Sequence, residues 1–138
     1  MHFDALTGYI KSYNWDYFFT ITTKRPRRDE IAFVRDIRNF FTNENVFEAA
    51  GIKRSFVALE PFRFRRDLHA HGLIAGDFKW EPALSLPWDI QTSLEKKFGR
   101  SRVELCRSQD DVSGYCAKYV TKWGTGDNYD FLGNWKKA

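Results

Sequence analysis

Segments with strand periodicity and segments with helix periodicity alternate along this chain, and that order limits the folds open to it. Tyr17 to Thr23 (YFFTITT) is aromatic and β-branched, which is typical of a strand. From Asp29 to about Phe47, apolar residues such as Ile31 recur at spacings of three and four, which predicts an amphipathic helix with Asp29 as its N-cap. The first predicted strand is therefore followed by a helix that can cross over the sheet.

The later segments continue the alternation. Strands are predicted at 55–61, 68–75 and 102–105, and helices at 88–98 and from about 110 to 122. Either Asp110 or Ser108 is expected to cap the last helix. The order strand, helix, strand, strand, helix, strand, helix matches a split βαβ arrangement. We expect one domain over residues 1–138 with an α+β fold, in which an antiparallel sheet of the ferredoxin or RRM-like kind carries helices on one face.

Composition excludes several protein classes. Of the 138 residues, 43% are hydrophobic and 17% aromatic, which is far from the composition of a disordered chain. Apolar runs are too short for a membrane helix, and the first residues lack the features of a secretory signal. Cys106 and Cys116 lack CxxC spacing, so we interpret them as free thiols. These features predict a cytoplasmic protein without a membrane partner.

Cationic side chains are concentrated in two turns. The net charge is only +4, because 18 acidic residues offset 22 Lys and Arg. Such clusters are either a solvated surface or a site for a phosphate-bearing partner such as nucleic acid. The candidate phosphate-binding residues are Lys24, Arg25, Arg27 and Arg28 in the first turn and Arg63, Arg65 and Arg66 in the second.

Two of the three histidines stand in the strand-like segment HAH. Residues two apart in a strand point to the same side, so His69 and His71 project both imidazoles into one volume. The short turn before this strand predicts a hairpin that brings Glu60 opposite them. Two imidazoles and a carboxylate suit a divalent cation with open coordination positions. An ion pair between Glu60 and a nearby arginine is the alternative.

The last predicted helix carries an unusual polar stripe. At 100° per residue, Val112 falls on an apolar stripe that we expect to face the core, and Tyr115, Lys118, Tyr119 and Lys122 fall on the adjacent one. A phenol beside an ammonium group or a metal is easier to ionise, and a phenolate can attack phosphorus. A solvated Tyr/Lys face is the alternative.

Taken in order, FFTITT, HAH and YCAKYVTK resemble the three motifs of the HUH-type endonucleases, in particular replication initiators with two tyrosines. The resemblance implies site-specific nicking and joining of single-stranded DNA at a replication origin of a plasmid or phage. It implies a 5′-phosphotyrosine intermediate, Mg²⁺ or Mn²⁺ held by His69, His71 and Glu60, and a separate helicase as partner. It makes Tyr115 and Tyr119 the candidate nucleophiles, assisted by Lys118 and Lys122.

Other functions remain open from the sequence. A transposase or relaxase of the same class would carry the same motifs, and a metallohydrolase that activates water would need the histidines but neither tyrosine. A non-catalytic single-strand binding module would need only the basic turns and exposed aromatics such as Trp80, Trp123 and Trp135. Between the tyrosines we expect Tyr115 to act first, because Tyr119 lies nearer the apolar stripe.

Overall fold

The computed structural model contains a five-stranded sheet and the helices that connect its strands. It describes residues 3–24, 29–43, 51–61, 68–76, 86–115 and 129–135. Its strands pair only antiparallel, in the order β4-β1-β3-β2-β5. The elements are α1 (Phe3–Lys11), β1 (Tyr17–Ile21), α2 (Glu30–Asn43), β2 (Ile52–Pro61), β3 (Leu68–Gly76), α3 (Leu86–Lys97), β4 (Ser101–Leu105), α4 (Gln109–Tyr115) and β5 (Tyr129–Gly133).

The segment from β1 to β4 forms the split βαβ core that the sequence predicts. Its strands run β1, β2, β3, β4 along the chain with α2 and α3 as crossovers, and they stand in the order β4-β1-β3-β2 in the sheet. The α+β class and the antiparallel sheet are confirmed. β3 lies between β1 and β2, so the HAH segment occupies the centre of the sheet.

One face of the sheet packs against the two crossover helices. In β1, Tyr17, Phe19 and Ile21 are buried, and the residues between them are half-buried. Alternate side chains of a strand point to opposite faces, so these three share one face. They belong to one core with residues of α2 and α3, among them Phe33, Val34, Ile37, Phe40, Phe41, Ile90 and Leu94.

Helices also pack on the other face, where the sequence led us to expect none. The second core joins Phe56 of β2 and Leu73 of β3 to Ile10 of α1 and to Val112 and Tyr115 of α4. Because Phe56 alternates with Val57 of the first core, the two cores lie on opposite faces. Part of the second face is thus covered by aromatic and aliphatic side chains.

Helix boundaries follow the predicted caps. Asp29 Oδ1 accepts a hydrogen bond from the backbone N–H of Ala32 at 3.0 Å, and Ser108 Oγ accepts one from Asp111 at 3.3 Å. Gly99 ends α3 with a φ of 130°, which disfavours a side chain there. Ile31 differs from its predicted core role: it is 65% exposed, because it lies about 120° around α2 from the centre of the buried stripe.

Two elements, α1 and β5, are not anticipated from the sequence. An aromatic cluster joins them, in which the Trp135 ring lies 4.9 Å from that of Tyr13 and 4.8 Å from that of Phe131 between centroids. The Tyr13 hydroxyl donates to the backbone oxygen of Trp135, and Arg38 of α2 pairs with Asp130 of β5. None of the helices in the described residues is long and apolar enough to cross a membrane.

Candidate functional site

The two histidines of HAH share a face of the central strand, as predicted. Ala70 between them is fully buried in the first core, whereas His69 and His71 are half-buried on the second face. Their ring centroids are 4.5 Å apart at an interplanar angle of 82°. Nδ1 of His69 and Nε2 of His71 are shielded from solvent. Two imidazoles therefore contact each other in a partly enclosed place, which suits joint binding of a cation.

The hairpin between β2 and β3 has the predicted pairing. Glu60 is the cross-strand partner of His69, and cross-strand partners occupy the same face of a sheet. The side chain of Glu60 lies outside the described part of the chain, and among the side chains inside it no three His, Cys, Asp or Glu form a metal-binding group. By donor chemistry, two imidazoles and a carboxylate fit a divalent cation that keeps open coordination positions.

Tyr115 brings α4 onto the strand that carries the histidines. Its hydroxyl donates a hydrogen bond to the backbone oxygen of His71 at 3.0 Å. Its ring packs against Phe18 and Phe56, with centroids 5.8 Å and 6.4 Å away. Tyr115 is only 6% exposed, so it belongs to the second core and not to a solvated stripe. Packing against the core therefore does not favour Tyr115 over Tyr119 as the first nucleophile, since Tyr115 is itself packed.

This hydrogen bond leads to a stability prediction. We expect Tyr115→Phe to lower the free energy of unfolding by about 1 kcal/mol, because it removes one hydrogen bond and keeps the ring packing. Urea denaturation measures the change. The matched control is Tyr129→Phe, since the Tyr129 hydroxyl makes no hydrogen bond within the described residues and its ring is half-buried. Equal losses for both variants would contradict this role of the Tyr115 hydroxyl.

A groove of about 990 Å³ opens beside His71 and Tyr115. Its walls come from β1, β4 and α4, and they combine aromatic, hydroxyl and charged side chains. Sequence reasoning missed Thr20, Arg102 and Arg107, because only the sheet order places β1 beside β3 and β4 beside β1. The lining residues are Phe18, Phe19, Thr20, His71, Arg102, Glu104, Leu105, Arg107, Asp111, Gly114 and Tyr115.

A second groove, of about 510 Å³, continues the first along β4. Thr20, Arg102 and Glu104 line both grooves, and Arg100 and Thr22 lie in the second. The Arg102 side chain is 72% exposed and lies 3.4 Å from a carboxylate oxygen of Glu104. The two grooves together form an open path past His71, with arginines and hydroxyl groups along it.

Several predicted site residues lie outside the described residues. Lys24 lies inside, and it is exposed, with its backbone N–H donating to the oxygen of Phe98 at 3.0 Å. Trp135, a candidate for stacking on bases, is half-buried in the aromatic cluster with Tyr13. Those outside are Arg25, Arg27, Arg28, Arg63, Arg65, Arg66, Trp80, Cys116, Lys118, Tyr119, Lys122 and Trp123.

Cys106 is a free thiol beside the groove, consistent with the sequence interpretation. Burial, and next the carboxylate of Asp111, raise the pKa of this thiol to about 11. At neutral pH the group is therefore protonated, and a protonated thiol is a poor nucleophile.

Comparison with family models and with curated proteins gives no match. No protein-family model matches the chain, and no curated protein matches it at a significant level. The function must therefore be argued from the residues and their geometry.

Proposed function

We propose that this protein is a metal-dependent endonuclease that nicks and rejoins single-stranded DNA through a tyrosine nucleophile, in the manner of the HUH-type replication initiators that its motifs resemble. The observation that carries the proposal is the hydrogen bond from the Tyr115 hydroxyl to the backbone oxygen of His71. It joins the tyrosine helix to the histidine strand across 44 residues of sequence. Nucleophile and metal site must be neighbours for this chemistry, and the contact between Tyr115 and His71 supports the proposal.

The metal would be held by Glu60, His69 and His71. The paired imidazoles and the register of Glu60 with His69 support this set. When bound, Mg²⁺ or Mn²⁺ supplies a Lewis acid for the scissile phosphate and a template that orients it. We propose that the DNA binds to the second face of the sheet, beside the histidines.

The covalent step joins the tyrosine to the DNA strand. The phenolic oxygen of Tyr115 or Tyr119 loses its proton to solvent and bonds to phosphorus, the bond from phosphorus to the 3′-oxygen breaks, and that oxygen leaves and takes up a proton. Lys118 and Lys122 offset charge on the phosphate. The protein then carries a 5′-phosphotyrosine, and attack by a 3′-hydroxyl on that linkage reverses the reaction.

In a cell, the free 3′-hydroxyl would prime rolling-circle replication of a plasmid or phage in the cytoplasm, with a separate helicase opening the duplex. A transposase or relaxase would use the same step for strand transfer. The basic turns at 24–28 and 63–66 would hold further phosphates of the strand.

The direct test is formation of an adduct that survives denaturing detergent. We expect the protein to form one with single-stranded oligonucleotides that carry candidate origin sequences, in Mn²⁺ or Mg²⁺, and a chelator to abolish it. Gel mobility of a labelled oligonucleotide provides the measurement. Strand cleavage without any adduct would favour the metallohydrolase, and metal-independent binding without cleavage would favour the binding module.

The grooves predict which arginines bind DNA. We expect Arg102→Ala with Arg107→Ala to weaken binding of single-stranded DNA, and the slope of log affinity against log salt to fall by about 0.7 for each phosphate that is no longer neutralised. Fluorescence anisotropy in chelator measures binding without cleavage. The control is Arg35→Ala, whose side chain is 63% exposed on α2, the helix of the opposite face. An unchanged salt slope in the double variant would place the DNA elsewhere.

A further inference from the structure

Thr20 of β1 contacts the ring of His71 across the sheet. The two residues are cross-strand partners, and the distance from Thr20 Oγ1 to His71 Nδ1 is 3.3 Å. Both side chains are half-buried and line the groove that also contains Tyr115. A β-branched side chain in a strand has a restricted χ1, so the hydroxyl oxygen of Thr20 is held in place beside this ring nitrogen.

The hydrogen bond can form in two ways, and they differ in consequence. A neutral imidazole carries its proton on one nitrogen and has a lone pair on the other. If Nδ1 is protonated and donates to Thr20 Oγ1, the lone pair of Nε2 is available to a cation. If the threonine hydroxyl donates to Nδ1, the proton sits on Nε2, and that nitrogen cannot bind a metal.

We infer that Thr20 accepts a hydrogen bond from Nδ1–H of His71 and is a positioning residue, which fixes the ring and its tautomer so that Nε2 faces a divalent cation. Histidine ligands commonly donate their second N–H to an oxygen in this way, and removing that oxygen weakens metal affinity. The inference rests on the proposed function for the cation. It assigns a role to the first threonine of the FFTITT segment, which the sequence pattern alone leaves without one.

The tautomer can be tested without metal. In the metal-free protein labelled with ¹⁵N-histidine, we expect long-range ¹⁵N–¹H spectra to show His71 protonated at Nδ1, with its signals assigned by their loss in His71→Asn. In Thr20→Val, which keeps the shape of the side chain and removes the oxygen, we expect the population of this tautomer to fall. A wild-type His71 that carries its proton on Nε2 would overturn the inference without any variant.

Metal affinity gives a second readout. In a calorimetric titration with MnCl₂, we expect Thr20→Val to bind Mn²⁺ at least about tenfold more weakly than the wild type. Thr20→Ser keeps the hydroxyl and should bind nearly as the wild type does. The control Thr42→Val makes the same substitution on α2, where the threonine hydroxyl donates to the backbone oxygen of Arg38 and lies far from His71 in the fold.

The outcomes separate the inference from the proposed function. If the wild type binds Mn²⁺ and Thr20→Val binds it equally well, Thr20 does not position His71, and the proposed endonuclease is unaffected. If the wild type binds no Mn²⁺, the metal-dependent function fails, and the inference fails with it. Reduced affinity in Thr20→Val, restored in Thr20→Ser and unchanged in Thr42→Val, would support both.

Discussion

Replacing Tyr115 and Tyr119 together with phenylalanine should reduce adduct formation by at least about 10³-fold, because no phenolic oxygen remains in the YCAKYVTK segment to attack phosphorus. Because the aromatic rings are kept, the loss of adduct would come from the missing phenolic oxygens and not from altered packing. Two checks confirm that the variant is intact: a urea unfolding midpoint lowered only as far as Tyr115→Phe lowers it, and unchanged binding of single-stranded DNA in chelator.

The single variants distinguish the two tyrosines. Tyr115 is 6% exposed and hydrogen-bonded to His71, so it must break that bond to reach a phosphate. If Tyr119 attacks first, Tyr119→Phe alone should abolish the adduct. Tyr115→Phe should still form the adduct, although the protein is less stable to unfolding. If Tyr115 attacks first, the pattern is reversed. Full adduct formation by the double variant would contradict a tyrosine mechanism.

Adding one methyl group at Gly72 should lower the stability of the fold strongly. A Cβ atom there would overlap the ring of Phe19 and the backbone oxygen of Phe56. Phe19 is 1% exposed and packs on Phe41, with centroids 5.7 Å apart, and Phe56 belongs to the neighbouring strand β2. Neither group can withdraw without moving a core or the sheet. We expect Gly72→Ala to lower the free energy of unfolding by about 3 kcal/mol.

A matched glycine separates this clash from the general effect of adding a methyl group. Gly8 lies in α1, and a Cβ atom there would meet no described atom within 4 Å apart from those of its chain neighbours and its own helix backbone. Since alanine has the higher helix propensity, Gly8→Ala should raise the free energy of unfolding by about 0.5–1 kcal/mol. Urea denaturation of both variants gives the comparison. A Gly72→Ala protein as stable as the wild type would show that β3 does not sit this closely against Phe19.

The local parts of the fold and site could be predicted from the sequence. The hairpin that pairs Glu60 with His69 follows from two strand-like runs and a short turn, and the shared face of His69 and His71 follows from strand alternation alone. The caps at Asp29 and Ser108 likewise depend on neighbours within a helical turn. Each of these features is determined by residues close in the chain.

The rest depends on contacts between distant segments. β5 is a short strand in a glycine-rich tail, and it is defined by pairing with β2, as in Phe56 with Phe131. The burial of Tyr115 depends on Phe18 and Phe56, which helical periodicity does not reveal. The contact of Thr20 with His71 needs the sheet order, although the alternation of YFFTI already placed Thr20 on the face opposite Phe19.

The most direct test of the central claim is the identity of the residue that becomes bonded to DNA. After reaction with an oligonucleotide in Mn²⁺, digestion with nuclease and protease followed by tandem mass spectrometry locates the attached nucleotide on the peptide. We predict a 5′-phosphate ester on Tyr115 or Tyr119. Attachment at any other residue, or cleaved DNA that carries a free 5′-phosphate with no modified peptide, would contradict the account.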